Sequence, residues 1–221
     1  MEHVFVETSW LVGYAAPAHQ KVYAAIELLK KANRSEVRLY IPSICLAECR
    51  RPIREKFQVR LEADRVRKFL LWAKESKIID VASSEIVRRA LDQMEGLVKH
   101  DLDQLNDLLK NLRDEPGVEV FHMDEEMYER CAGFSNLGLQ PFDQAILASI
   151  LVKAETLKRT GIERFAFCEA DSDLQPWDKL GNAKEPLVSY YDQAAIWVFQ
   201  DFLLEKPEMP EDWPLETKPQ G

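Results

Sequence analysis

Five carboxylates recur in one setting along this chain. Glu7 closes the apolar run Val4-Phe5-Val6, Glu48 follows the run Val37 to Ile41, Asp143 opens an apolar stretch, and Asp171 and Asp173 follow Arg164 to Cys168. An acid flanked by apolar residues is costly to keep charged, and several in one cleft repel strongly unless a divalent cation neutralises them. Oxygen ligands with no nearby His or Cys suit Mg2+ or Mn2+. Such a site binds phosphate oxygens and activates a water, the chemistry of metal-assisted phosphodiester hydrolysis. His3, His19, His100 and His122 show no ligand spacing. Cys45, Cys49, Cys131 and Cys168 form no CxxC pair and read as buried free thiols.

The elements that must position these acids alternate between strand and helix. The run ending at Glu7 reads as a buried parallel strand handing over to a helix. Ala18 to Asn33 reads as an amphipathic helix and Val37 to Ile41 as a second strand. Ser43 is the expected N-cap of the next helix, with Glu48 in its second turn and a bend or end at Pro52. Residues 54 to 76 read as a basic helix with Val66, Phe69, Leu70 and Trp72 available for packing, and Lys77 to Val81 as a short strand or link. A long helix from Ser84 to about Arg113 carries a seam of Leu91, Met94, Val98, Leu102, Leu105, Leu109 and Leu112, for intramolecular packing or a homodimer. Pro116-Gly117 breaks it. Val118 to Phe121 is a strand, Asp124 caps a helix to about Phe134, and Pro141-Phe142-Asp143 opens a helix apolar on nearly all faces. Arg164 to Cys168 is a core strand, and a last helix is expected from about Tyr190 to Leu204.

This alternation predicts an α/β fold: a three-layer α/β/α sandwich around a central, mostly parallel sheet. Residues 1–205 form one domain with a helical insertion at about 54–115, and 206–221 form an acidic, Pro-rich tail. In open sheets of this kind ligands bind past the carboxyl ends of the strands, which is where the acids fall.

The chain carries a net charge of −9, with 46% apolar and 30% charged residues, as in ordinary soluble proteins. No apolar run approaches the length of a membrane span, the first residues lack the basic start and apolar core of a signal peptide, and a cytoplasmic location is expected. The charge is uneven: residues 50 to 77 hold ten Lys/Arg against four Asp/Glu, whereas 92 to 126 hold eleven Asp/Glu against three Lys/Arg. The basic stretch is either a solvated helix face or a surface for a phosphate backbone, with Arg50, Arg51 and Arg54 nearest to Glu48.

Four motifs in order, Phe5-Val6-Glu7-Thr8-Ser9, Ile41-Pro42-Ser43 through Glu48, Phe142-Asp143-Gln144-Ala145-Ile146-Leu147-Ala148 and Phe167-Cys168-Glu169-Ala170-Asp171-Ser172-Asp173-Leu174, resemble those of the PIN-domain nucleases. The resemblance covers the start of the chain to about Arg51 and about Val118 to Leu174. It implies a metal-dependent ribonuclease that hydrolyses RNA with Mg2+ or Mn2+. Glu7, Glu48, Asp143 and Asp171 take the acidic positions, Asp173 the frequent extra acid, and Ser9 the small polar residue supporting the first. The family usually has Asp where this chain has Glu7. Roughly 95 residues separate Glu48 from Asp143, more than in the small toxins of toxin–antitoxin pairs. The alternative is a catalytically weakened PIN-fold module that binds nucleic acid or protein. A protein inhibitor of the antitoxin kind is a further partner the resemblance implies.

Overall fold

Strand β1 (Glu2–Val6) lies at the centre of a five-stranded sheet. A computed structural model describes residues 1–171, 173–178 and 180–204, with side chains for all of these except 59–62. The other strands are β2 (Val37–Pro42), β3 (Val118–Phe121), β4 (Phe165–Cys168) and β5 (Ile196–Phe199), in the spatial order β3-β2-β1-β4-β5. Every pairing is parallel, and Phe5 sits opposite Tyr40 on one side and Phe167 on the other. The strands are short runs of Val, Ile, Leu, Phe, Tyr and Trp, the side chains that pack best on a pleated surface. All residues of β4 and β5 are buried, as a sheet covered on both faces requires.

Helices flank this sheet: α1 (Thr8–Tyr14), α2 (Tyr23–Asn33), α3 (Ser43–Glu48), α4 (Arg50–Lys56), α5 (Val59–Glu75), α6 (Val81–Asp103), α7 (Leu105–Asn111), α8 (Glu125–Ala132), α9 (Pro141–Lys158) and α10 (Leu187–Gln193). The chain builds β1, β2 and β3 outward to one side, then crosses back to place β4 on the other side of β1. The order therefore reverses between β1 and β4, and a crevice opens at such a switch point beyond the strand ends. Close approach of layers is visible at Gly117, where a Cβ would collide with the Ala32 backbone.

Several sequence expectations need correction. Residues 187–204 do not form one helix: α10 ends at Gln193, Ala195 turns the chain at φ 56°, and Ile196 to Phe199 pair with β4. Ser43 is the first helical residue and Pro42 precedes it, so Ser43 is no N-cap. The helix breaks at Cys49, and Pro52 falls in the first turn of α4, where its missing N–H costs nothing. Ala18–Gln20 is a separate 3-10 turn before α2. No strand forms at 77–81; Lys77 turns at φ 56° and Asp80 caps α6 through the Ser83 N–H. Val66, Phe69 and Trp72 face outward while Leu70 is buried. The basic, amphipathic α5 keeps its shape without burying that face.

The leucine seam divides. Leu105, Leu109 and Leu112 are buried in the main core, Val98 is buried, and Leu91, Met94 and Leu102 are half-buried. The helix also stops at Gln104 and resumes as α7. Burial at roughly 2 kcal/mol per leucine ties the end of the 54–115 segment to the core within one chain. The tail at 206–221 lies outside the described residues. No described helix is long and apolar enough to cross a membrane.

Candidate functional site

The carboxyl ends of β1 and β4 open into a cleft of about 590 Å³ lined by Glu7, Thr8, Ser9, Glu48, Lys56, Asp143, Glu169, Asp171 and Asp173, among others. All five acids expected from the sequence therefore face one space. Glu7 follows β1 directly, Asp171 and Asp173 follow β4, Glu48 ends α3, and Asp143 stands in the first turn of α9.

Local chemistry fixes the first two. Glu7 is the N-cap of α1: its carboxylate accepts the Ser9 backbone N–H at 2.7 Å and the Ser9 hydroxyl as well. The longer Glu side chain folds back onto its own helix start, where an acid satisfies a free N–H and the helix dipole. Thr8 donates its hydroxyl to Glu48, tying the start of α1 to the end of α3. Helix α9 has Pro141 at its first turn and is buried through most of its length. Its axis, and so the position of Asp143, is set by core packing.

The electrostatics record crowding of like charge. Glu7 is 5% exposed, and burial pushes its carboxyl up from 4.5 to about 7, with Glu48 and Asp171 adding to the rise against the Ser9 hydrogen bonds. Asp143 is raised from 3.8 to about 6, first by burial and then by Asp173, Glu48 and Asp171. Glu169, which the motifs alone do not single out, is 1% exposed; burial, then Glu7 and Asp171, hold its carboxyl well above the usual range. Its Oε2 has no hydrogen-bond partner. Cys45 and Cys168 lie fully buried beneath the cleft, with thiols pushed up by burial.

The donor chemistry fits a hard divalent cation: carboxylate oxygens, with Glu7 and Asp143 raised first by burial and then by neighbouring acids, both of which a cation would offset. Among the described residues, however, no three His, Cys, Asp or Glu side chains stand where they could hold one ion together. The acids share the cleft without forming a closed ligand set.

The basic residues are less concentrated. Arg50 donates to the Leu46 carbonyl and to Asn106, Arg51 pairs with Glu55 at 2.7 Å, and Arg54 lines a separate groove with Asp64, Arg67, Glu95 and Asp103. Lys56, two residues further, lines the carboxylate cleft instead. Its signal in the sequence was only its distance along a helix from Pro52, which also lines the cleft. The Arg60 side chain lies outside the described residues. No family model, no curated protein and no solved structure matches the chain, so the likeness to PIN-domain nucleases rests on the four motifs alone.

Proposed function

We propose that this protein is a Mg2+- or Mn2+-dependent ribonuclease acting through the carboxylate cleft. The observation that carries the reading is the convergence of Glu7, Glu48, Asp143, Asp171 and Asp173 on one crevice at the sheet's switch point. These residues would hold the metal, which would supply charge for phosphate oxygens and an acidified water. Ser9 and Thr8 hold Glu7 and Glu48 against their mutual repulsion, and Lys56 at the mouth attracts the phosphate backbone. Purified protein should degrade single-stranded RNA with Mn2+ and stop with EDTA. Asp143→Asn should lower the rate by about 10²-fold or more without altering the fold. Degradation that survives both treatments would sink the reading.

A second reading is favoured by the Glu7 geometry. Its carboxylate is engaged by Ser9 as a helix cap, and among the described residues no three acids stand as a ligand set. On that reading the chain is a binding module that holds RNA or protein without cleaving it. RNA binding with no turnover at any Mn2+ concentration would select it.

A further inference from the structure

The cleft holds one acid that the four motifs leave without a task. Glu169 follows β4, and its backbone is fixed from two sides: its N–H donates to the Phe199 carbonyl at 2.8 Å, and its carbonyl accepts Gln175 Nε2 at 3.1 Å. This fixes the backbone of Glu169, which lines the cleft together with Glu7 and Asp171. The residue is 1% exposed, yet Oε2 accepts no hydrogen bond. A buried carboxylate oxygen without a donor is costly, on the order of 1–3 kcal/mol for a neutral polar group and more for a charge. The groups that act on it most strongly are Glu7, Asp171 and Asp143, all acids. The Asp171 backbone N–H acts on the carboxyl in the opposite sense, but the three side chains bring only negative charge, which makes the orphan oxygen harder to keep without a cation.

We propose that Glu169 is a metal ligand of this cleft, its unpartnered buried oxygen completing with Glu7 and Asp171 a ligand set for a divalent cation. The inference rests on the nuclease reading of the same cleft and extends it. Glu169, Glu7 and Asp171 would hold the ion, with the Glu169 backbone anchored to β5 and to Gln175. Glu169 is the most deeply buried of the cleft acids and is held at both its N–H and its carbonyl, whereas Asp171 and Asp173 are exposed. A role as a merely structural, neutral carboxyl makes the opposite demand: an amide of the same shape would serve equally well.

The test is titration of the full chain with Mn2+ alone by calorimetry, for wild type, Asp143→Asn, Glu169→Gln and Glu169→Asp. Near-UV circular dichroism checks that each variant folds. Glu169→Gln should weaken Mn2+ binding by about tenfold to a hundredfold, the range that changes in a metal's ligand surroundings produce. Glu169→Asp should fall between that variant and wild type. Wild-type affinity in Glu169→Gln, with binding lost in Asp143→Asn, would overturn the ligand role and leave the nuclease reading intact. No Mn2+ binding by the wild type would overturn both. Should Glu169→Gln fail to fold, the Asp variant decides: weakened binding supports the role, and unchanged affinity removes it.

Discussion

Two groups of acids in this molecule are treated in opposite ways. Between α5 and α6, Asp64, Asp92 and Glu95 surround one guanidinium: Arg67 reaches them at 3.3, 2.8 and 2.8 Å. All three carboxylates there share one cation, and the cluster clasps one helix to the other. In the cleft, Glu7, Glu48, Asp143 and Glu169 have no Lys or Arg partner at ion-pair distance among the described residues, and the charges that raise Glu7, Asp143 and Glu169 come from other acids of the cleft. A protein able to build the first arrangement has the means to neutralise the second. Leaving it unneutralised costs stability, and such a cost is the usual mark of a site kept for a ligand.

The largest consequence concerns Glu7. A carboxyl raised from 4.5 to about 7 on folding binds its proton more tightly in the native state. Its favourable contribution is therefore complete below pH 4.5 and is lost as pH rises through about 7. At about 1.4 kcal/mol for each tenfold gain in proton affinity, the penalty at pH 8 is on the order of 1–3 kcal/mol. Glu7→Gln should then raise the melting temperature of the metal-free protein by several degrees at pH 8 and leave it unchanged near pH 4.5. Saturating Mn2+ should stabilise the wild type at pH 8 and the variant much less. Equal melting curves for the two proteins at pH 8 would break the contrast between the clusters.

A smaller effect is expected from undoing the other cluster. Arg67→Gln leaves Asp64, Asp92 and Glu95 facing one another, but on a surface open to solvent. The melting temperature should fall by a few degrees at most, because exposed pairs are screened. Raising NaCl should restore much of the loss by screening the exposed acids, whereas NaCl should do little for the buried Glu7 at pH 8. A divalent ion should act in the reverse sense, stabilising the cleft and not the helix clasp. Melting curves in NaCl and in MgCl2 separate the two.

The sequence carried the site further than it carried the periphery. β1, β2, β3 and β4 are legible because each is a short aromatic or β-branched run bounded by turn residues, and α9 because Pro141 and Asp143 mark its start. The acids of the cleft follow from those boundaries. β5 was hidden: Ile196-Trp197-Val198-Phe199 continues the apolar character of Tyr190 and Tyr191, and the break comes from Ala195 at positive φ, a conformation that alanine does not advertise. The stop at Gln104 likewise has no Pro or Gly to announce it. Glu169 was readable as a letter but not as a buried one, since its burial depends on β5, the strand that the apolar pattern concealed. The outward face of Val66, Phe69 and Trp72 shows the limit of periodicity, which gives a stripe but not the side on which the core lies.

The last contrast lies within the basic stretch itself. Its arginines follow Glu48 closely in sequence, yet their neighbours differ. Arg51 is held by Glu55, and Arg54 lies in a separate groove lined by Asp64, Glu95 and Asp103 as well as Arg67 and Lys99. Lys56 alone of these three opens onto the carboxylate cleft. A phosphate backbone approaching the acids would therefore meet Lys56 before either arginine. Each cation that neutralises a phosphate of single-stranded RNA contributes about 0.7 to the slope of log affinity against log salt. Lys56→Ala should lower the slope by about that amount and weaken binding at low salt. Arg51→Ala with Arg54→Ala should change it less, although two charges are removed. Anisotropy of a fluorescent phosphorothioate RNA oligonucleotide across a NaCl series, with Mn2+ present, measures both quantities. A double variant that loses more slope than Lys56→Ala would place the backbone along α4 and α5, and would make the solvated appearance of those arginines a property of the protein without RNA.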